Sequence, residues 1–292
     1  MPDRVPAWVD SVMRIGYGGR AIVYVVVGVL AFLAAWQGGS AEGTAGALQQ
    51  IKDQSWGTIV LISIALGMFC YAAWRVIDGV MDLEAHGTGA KGFVARTGLI
   101  VTGLIHLALG IYVVTLLLGN GGGSGGSDSS PEGITAKVME YDRGRWVIGI
   151  AGLCVIGAGI YYFIKGYKEK YRSEIHATRM TERLNPVLKA GLYAHGVVIV
   201  LIGIFLFWAA WTYDSSQAGG LADAFHTIRG AAFGRILLGL VALGLVGFAV
   251  FCAVSAVYRI VPRLAGDDIP TLARQAEGKA HRAKAEAKAA MR

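Results

Sequence analysis

The sequence predicts an all-α membrane protein with six transmembrane helices, arranged as three helical hairpins inserted in the same direction. Three observations predict it: six charge-free runs each long enough to cross a bilayer, a hydrophobic share of 54% against 16% charged residues, and one helical pattern that recurs three times. Soluble domains carry about 25% charged residues. This composition therefore excludes a soluble enzyme, a disordered chain or a nucleic-acid-binding domain, despite the formal net charge of +7.

The charge-free runs cover 21–41, 54–74, 97–127, 146–164, 190–213 and 236–258. About 20 apolar residues rising 1.5 Å each cross a hydrocarbon core of ~30 Å. The predicted spans are therefore roughly 20–37, 56–78, 97–118, 145–165, 189–212 and 234–259. The third run overshoots because 119–130 is a glycine/serine tract, which reads as linker. Membrane barrels are rejected, because their strands alternate apolar and polar residues. A cleaved signal peptide is the rival reading of the first span, and the recurrence of that segment downstream argues against it.

Lysine and arginine set the orientation. Of the 27 such residues, 21 fall on the side that holds both termini and the loops 75–96 and 165–189. Both termini are thus expected in the cytoplasm. Trp36, Trp56, Trp74, Trp146, Trp208 and Trp211 sit at span ends, and Trp8 precedes the first span. Interfacial belts favour tryptophan there.

The repeat is carried by glycines. Gly16 and Gly28, Gly98 and Gly110, and Gly191 and Gly203 share one spacing, each pair opening an odd-numbered span. Trp56-Gly57, Arg143-Gly144 and Phe233-Gly234 open the even-numbered ones. Two of these follow short amphipathic stretches, Ala47-Leu48 with Ile51 and Ala224-Phe225 with Ile228, which suggest small helices lying on the outer surface. The chain divides into repeat 1 (1–92, with the N-terminal segment), repeat 2 (93–185), repeat 3 (186–262) and a basic tail (263–292). Parallel repeats imply a pseudo-threefold arrangement about an axis along the membrane normal. Gly28, Gly110 and Gly203 lie near mid-bilayer, where glycine lets helices approach closely. They are expected at helix crossings that close the centre of the bundle.

The pattern resembles the bacterial membrane proteins of domain-of-unknown-function family 1206. The resembling residues are Gly16-Tyr17-Gly18-Gly19-Arg20 running into Val23-Tyr24 and Gly28, then Trp74-Arg75, then His86-Gly87-Thr88-Gly89-Ala90-Lys91-Gly92, and Tyr167-Lys168-Glu169-Lys170-Tyr171. The resemblance covers about 15–260. It implies three tandem two-helix repeats in a cell membrane and no established chemistry. The Arg20 position becomes Thr102 and His195 in the later copies, a departure from any threefold site.

Ionisable groups inside a membrane are the first functional candidates. Arg20, Thr102, His106 and His195 form the candidate polar membrane site. Arg20 lies at the inner end of its span, where a long side chain is expected to snorkel to headgroups. His106 and His195, on neighbouring helices, would suit a b-type haem if both faced one flat cavity, and otherwise a helix-to-helix hydrogen bond; no cofactor is the expectation. Asp78, Asp82 and His86 fall at i, i+4 and i+8, a weak candidate metal site if the second span continues inward. Cys70, Cys154 and Cys252 lie in three different spans and suggest neither disulfides nor zinc. They are expected as small buried hydrophobes.

Gly122–Gly126 satisfies G-x-S-x-G at Ser124, but a nucleophile elbow needs a strand-to-helix turn. With no H-E-x-x-H and no P-loop, a non-enzymatic protein is expected. The tail carries Arg274, Lys279, Arg282, Lys284, Lys288 and Arg292 with almost no large apolar residue. It suits anionic lipid at the cytoplasmic face. Two functions fit: an accessory or scaffold subunit beside other membrane proteins, or a small-solute or ion transporter with an axial pathway. A continuous polar axial cavity would favour the second.

Overall fold

The computed structural model describes residues 8–39, 41–87, 89–119 and 131–261. Ser124, most of the glycine/serine tract and the basic tail lie outside them. Nine α-helices are present among the described residues: α1 (Trp8–Gln37), α2 (Thr44–Lys52), α3 (Gly57–Met81), α4 (Ala90–Leu117), α5 (Pro131–Met139), α6 (Gly144–Tyr167), α7 (Arg179–Thr212), α8 (Leu221–Gly230) and α9 (Gly234–Tyr258). Six of them, α1, α3, α4, α6, α7 and α9, are long and apolar enough to cross a membrane. This is a multi-pass membrane protein.

The odd-numbered spans begin well before the hydropathy boundary. Helix α1 starts at Trp8, α4 at Ala90 and α7 at Arg179. Their first two turns carry Asp10 and Arg14, Lys91 and Arg96, and Arg179 and Glu182. Charge ends the lipid-compatible segment but not the helix, because these residues are tolerated in a solvated turn. Thr178 closes the α7 start with a capping box, accepting from the Thr181 amide while Thr181 Oγ1 accepts from the Thr178 amide. Two arginines at the same end bond the last carbonyls of a neighbouring helix: Arg14 those of α9 at Ala256 and Val257, and Arg96 those of α3 at Gly79 and Val80. A cation at a helix C-terminus also opposes the negative end of its dipole.

Helix packing follows the order α4–α3–α1–α9–α7–α6. This is the sequence a ring of hairpins would give, opened between α4 and α6, which share no interface of comparable size. The threefold rotation is thus not confirmed, since the two spans of the middle repeat do not pack on each other. The glycines record the same break. A Cβ on Gly16 would meet the Tyr71 backbone at 2.6 Å, and one on Gly191 would strike the backbone at Gly247 and Phe248. Their counterpart Gly98 faces open space.

The second glycine of each repeat sits elsewhere. Gly28 lies against Ala242 and Val246 of α9, Gly110 against Met68 and Phe69 of α3, and Gly203 against Gly152 and Ile156 of α6. Each of these contacts joins one repeat to another.

Two apolar clusters fill the bundle. One, toward the end that carries α2 and α8 and termed the outer, gathers Val27, Ala31, Leu48, Ile64, Val113, Leu116, Phe225 and Leu245; the other, toward the end where α1 starts and α9 exits and termed the inner, gathers Met13, Tyr17, Tyr71, Trp74, Tyr171, Leu188, Phe248 and Cys252. Helices α2 and α8 each set one face into the outer cluster, with Ala47, Leu48 and Ile51 and with Ala224 and Phe225, and leave the other exposed at Ala45 and Gln50 and at Asp223, His226 and Thr227. Thr44, the first residue of α2, lines an internal cavity together with Arg20 and Met68. Thr44 is half-buried there, and Ala45 beside it is exposed. Helix α5 is the third short helix, which the sequence pattern missed. At the position of Leu48 and Phe225 it carries Thr135, equally buried but polar.

Other placements also differ from expectation. Trp74 is fully buried, whereas Trp36, Trp56, Trp146, Trp208 and Trp211 are exposed. Of the three free thiols only Cys252 is buried, and Cys154 is exposed.

Replacing Gly98 by Ala should stabilise the protein by up to about 1 kcal/mol, the helix-propensity gain at an unhindered site. Gly16→Ala and Gly191→Ala should lower the melting temperature, since their neighbours are backbone atoms that cannot swing aside. Thermal melts of the three variants in one detergent would check this, and equal behaviour would contradict the open ring.

Candidate functional site

Six charged side chains gather at the end of the bundle that holds the chain's N-terminal helix start and the exit of α9. Arg75 and Asp78 come from α3, Glu84 from the loop after it, Lys165 from α6, Glu174 from a 3-10 turn (Lys170–Glu174) and Arg259 from the residue after α9. Arg259 binds Glu84 through both Nε, at 3.1 Å, and its terminal nitrogen, and reaches Glu174 at 3.0 Å. Lys165 holds Glu174 at 2.8 Å. Arg75 lies 3.5 Å from Asp78 and 3.7 Å from Glu84, and the Glu84 amide donates to Asp78 at 3.0 Å. Backbone pairing braces the cluster: the His176 amide donates to the Tyr258 carbonyl and the Ile260 amide to the Glu174 carbonyl, both at 2.8 Å.

Three positive and three negative groups balance. Burial alone would raise the Glu84 carboxyl, but Arg259, Arg75 and Lys165 outweigh it and hold it down at about 2. Glu174 is lowered as well: burial opposes this, and Lys165 and Arg259 prevail.

Deeper in the bundle the balance fails. Arg20 is only 3% exposed, and no carboxylate lies within ion-pair distance of it among the described residues. Its Nη1 donates to the Tyr71 hydroxyl at 2.6 Å, and that oxygen also accepts from Arg75 Nε at 2.8 Å. The guanidinium carbon stands 4.5 Å from the Tyr71 ring centroid, 5.5 Å from Tyr24 and 5.4 Å from Phe248, a cation–π cage. Arg20 Nε has no partner. A cavity of about 40 Å³ adjoins it, lined by Val23, Tyr24, Thr44, Met68, His106 and Leu109. Arg20 does not snorkel; it turns inward.

A family model described as Domain of Unknown Function (DUF1206) matches the chain three times, at residues 15–82, 97–169 and 190–259. The chain belongs to the DUF1206 family. It is similar to a Bacillus subtilis protein named "Uncharacterized protein YxxB", 27% identical over 256 residues that cover 86% of this chain and 92% of that one. No solved structure matches it. The three matched DUF1206 segments each pair one odd-numbered with one even-numbered span.

The DUF1206 repeat does not place equivalent residues in equivalent roles. Thr102, at the Arg20 position of the second copy, bonds the Gly98 carbonyl of its own helix at 2.7 Å. His106, one turn on, reaches the Thr102 carbonyl at 2.7 Å through Nδ1 and packs its ring 4.6 Å from that of Tyr71. A carbonyl has no proton to give, so Nδ1 is the donor in this bond. His195, at the third-copy position, is buried and stacks on Phe248 at 3.9 Å, with Tyr24 and Tyr162 against its edges and Nδ1 unpartnered. A haem does not fit here. The cavity beside His106 has room for a few atoms, and the His195 face is already covered by a ring.

The metal triad also changes. Helix α3 ends at Met81 because Asp82 turns left-handed (φ 54°), so His86 does not continue the helical face. Asp82 instead accepts the amides of His86 at 2.7 Å and Gly87 at 3.0 Å. Asp78, Glu84 and His86 come together, yet the two carboxylates already face Arg75 and Arg259, which occupy the place of a cation. Glu84, Glu174 and Tyr71 were not singled out from the sequence. Their one signal was acidic residues in the lysine- and arginine-rich loops.

Because Glu84 titrates below its usual 4.5 when folded, its stabilisation is complete above that value and lost as pH falls toward about 2. Glu84→Gln should cost ~3 kcal/mol at neutral pH, because it leaves three buried cations facing two carboxylates. It should also flatten the acid limb of the melting curve between those pH values. A variant whose melting temperature stays at the wild-type value across pH 2–7 would contradict this role.

Proposed function

We propose that this is a non-enzymatic accessory or scaffold subunit of a membrane complex, held in the bacterial plasma membrane with both termini in the cytoplasm. The observation that carries the reading is the filled middle of the bundle. The outer half is packed by the apolar cluster that includes α2 and α8, and the inner half by Tyr17, Tyr71, Trp74 and Tyr171 beneath the ion cluster. Between them lies the small cavity beside Arg20. A transport pathway needs continuous polar space, and a rigid scaffold needs a filled core. The distribution of 21 of 27 lysines and arginines supports the orientation, and the basic tail supports contact with anionic lipid.

Arg20 favours one second reading. A charge buried in a membrane bundle without a counter-charge is a common mark of a substrate or ion site, and the ring is open between α4 and α6. Transport would then require the plugs above and below Arg20 to move.

Two measurements separate these readings. Purified protein in liposomes should give no ion or solute flux above protein-free vesicles, and gentle solubilisation from native membranes should release it in a complex larger than the free chain. Flux that disappears on replacing Arg20 would establish the transporter instead. A cysteine added after Arg292 should be labelled by an impermeant reagent only after the cells are opened; labelling of intact cells would reverse the topology.

A further inference from the structure

We propose that the cavity beside Arg20 is a binding site for one small monovalent anion, of the size of a halide or formate. This goes beyond the accessory reading and does not depend on it, since an anion can be structural as well as transported.

Charge supplies the first argument. The six groups of the inner cluster cancel, three positive against three negative. Arg20 lies apart from them and is surplus. An arginine buried in a membrane bundle is costly, and its partners here are a neutral hydroxyl and three aromatic rings. Tyr71 cannot offset the charge alone, because its oxygen already accepts from a second guanidinium, that of Arg75.

Geometry supplies the second. Arg20 is 3% exposed, its Nε has no partner, and it lines the cavity. No carboxylate shares that lining; the other polar residues are Tyr24, Thr44 and His106. Thr44 brings a hydroxyl and stands at the first turn of α2, the positive end of a nine-residue helix. The Glu42 carboxylate lies against that turn, beside Gly46, and is not part of the cavity lining, so the positive charge at the cavity is that of Arg20. An anion in the cavity would give Arg20 the counter-charge it lacks.

Size limits the ligand. A volume of about 40 Å³ exceeds the roughly 10–15 Å³ that one water needs but has no room for a phosphate ester or a fatty-acid chain. Val23, Met68 and Leu109 supply the rest of the wall. Weakly hydrated monovalent anions tolerate such walls better than strongly hydrated divalent ones.

The test uses the full chain in detergent at constant ionic strength, with gluconate exchanged for chloride, bromide, formate or sulfate. The melting temperature should rise saturably with chloride, bromide and formate and stay flat with sulfate. Radiolabelled chloride should bind with one ion per chain. Arg20→Met should abolish both effects and, in gluconate, be at least as stable as the wild type, which a purely structural arginine would not allow. Thr44→Val and Arg20→Lys keep the test open if Arg20→Met fails to fold; each should weaken the chloride midpoint severalfold while leaving a folded protein. Anion-independent melting, or the same chloride response in wild type and Arg20 variants, would overturn the proposal and leave the cavity to water.

Discussion

The contact between Arg259 and Glu84 is the constraint on which the inner half of the bundle depends. Arg259 follows the last span, Glu84 follows the second, and Glu174 lies in the loop after the fourth. One guanidinium therefore ties together the ends of helices from all three repeats. At this depth the surroundings are neither water nor lipid, and a lone charge there would be costly. What makes the cluster tolerable is saturation: Glu84 and Glu174 each face two cations, and Asp78 faces Arg75 and accepts the Glu84 amide. The loops carrying Glu84 and Glu174 are thereby fixed, which explains why the chain after α9 pairs its backbone with residues 174–176.

Apolar packing does the corresponding work in the hydrocarbon, where no hydrophobic effect draws helices together and close contact must. The two glycines of the odd-numbered spans divide this between them. The later one joins neighbouring repeats in all three copies, and the earlier one joins the two helices within a repeat in the first and third copies only. Gly98 has no helix to meet. The middle repeat is also the one whose spans are separated in the sequence by the glycine/serine tract. Its spans, α4 and α6, are accordingly the least buried of the six.

Much of this was legible in the sequence, and the division has a physical basis. Lipid thickness fixes the length of an apolar run, and Gly16, Gly98 and Gly191 mark the same point of one repeat, so spans and repeats could be read directly. Hydropathy could not show where α1, α4 and α7 begin, because a helix continues through charges that the bilayer rejects. Trp74 and Arg20 misled for one shared reason: both were placed by depth alone, and depth does not say whether a side chain faces lipid or protein. Asp82 was read as part of a helical face that it in fact ends. Glu84 and Glu174 depend on pairing between loops about 90 residues apart, for which local pattern holds no signal.

The repeats have diverged where charge is involved and stayed alike where the later glycine meets a neighbouring repeat. The matched segments end at Asp82, Glu169 and Arg259. The first caps its own loop, the second pairs with Arg172 of its own loop and Lys189 of the following repeat, and the third reaches loops of both other repeats. The Arg20 position shows the same pattern one level deeper, as arginine, threonine and histidine in turn. A threefold polar site would place three like charges around one axis at close range, and their repulsion in a low-dielectric interior would be severe. Divergence removes that repulsion: Thr102 satisfies itself within its helix, and His195 lies flat against Phe248. One cation is left in the middle, between a packed outer half and a neutral inner cluster. The repeated architecture supplies the walls, and the loss of symmetry is what makes a single charged centre possible inside them.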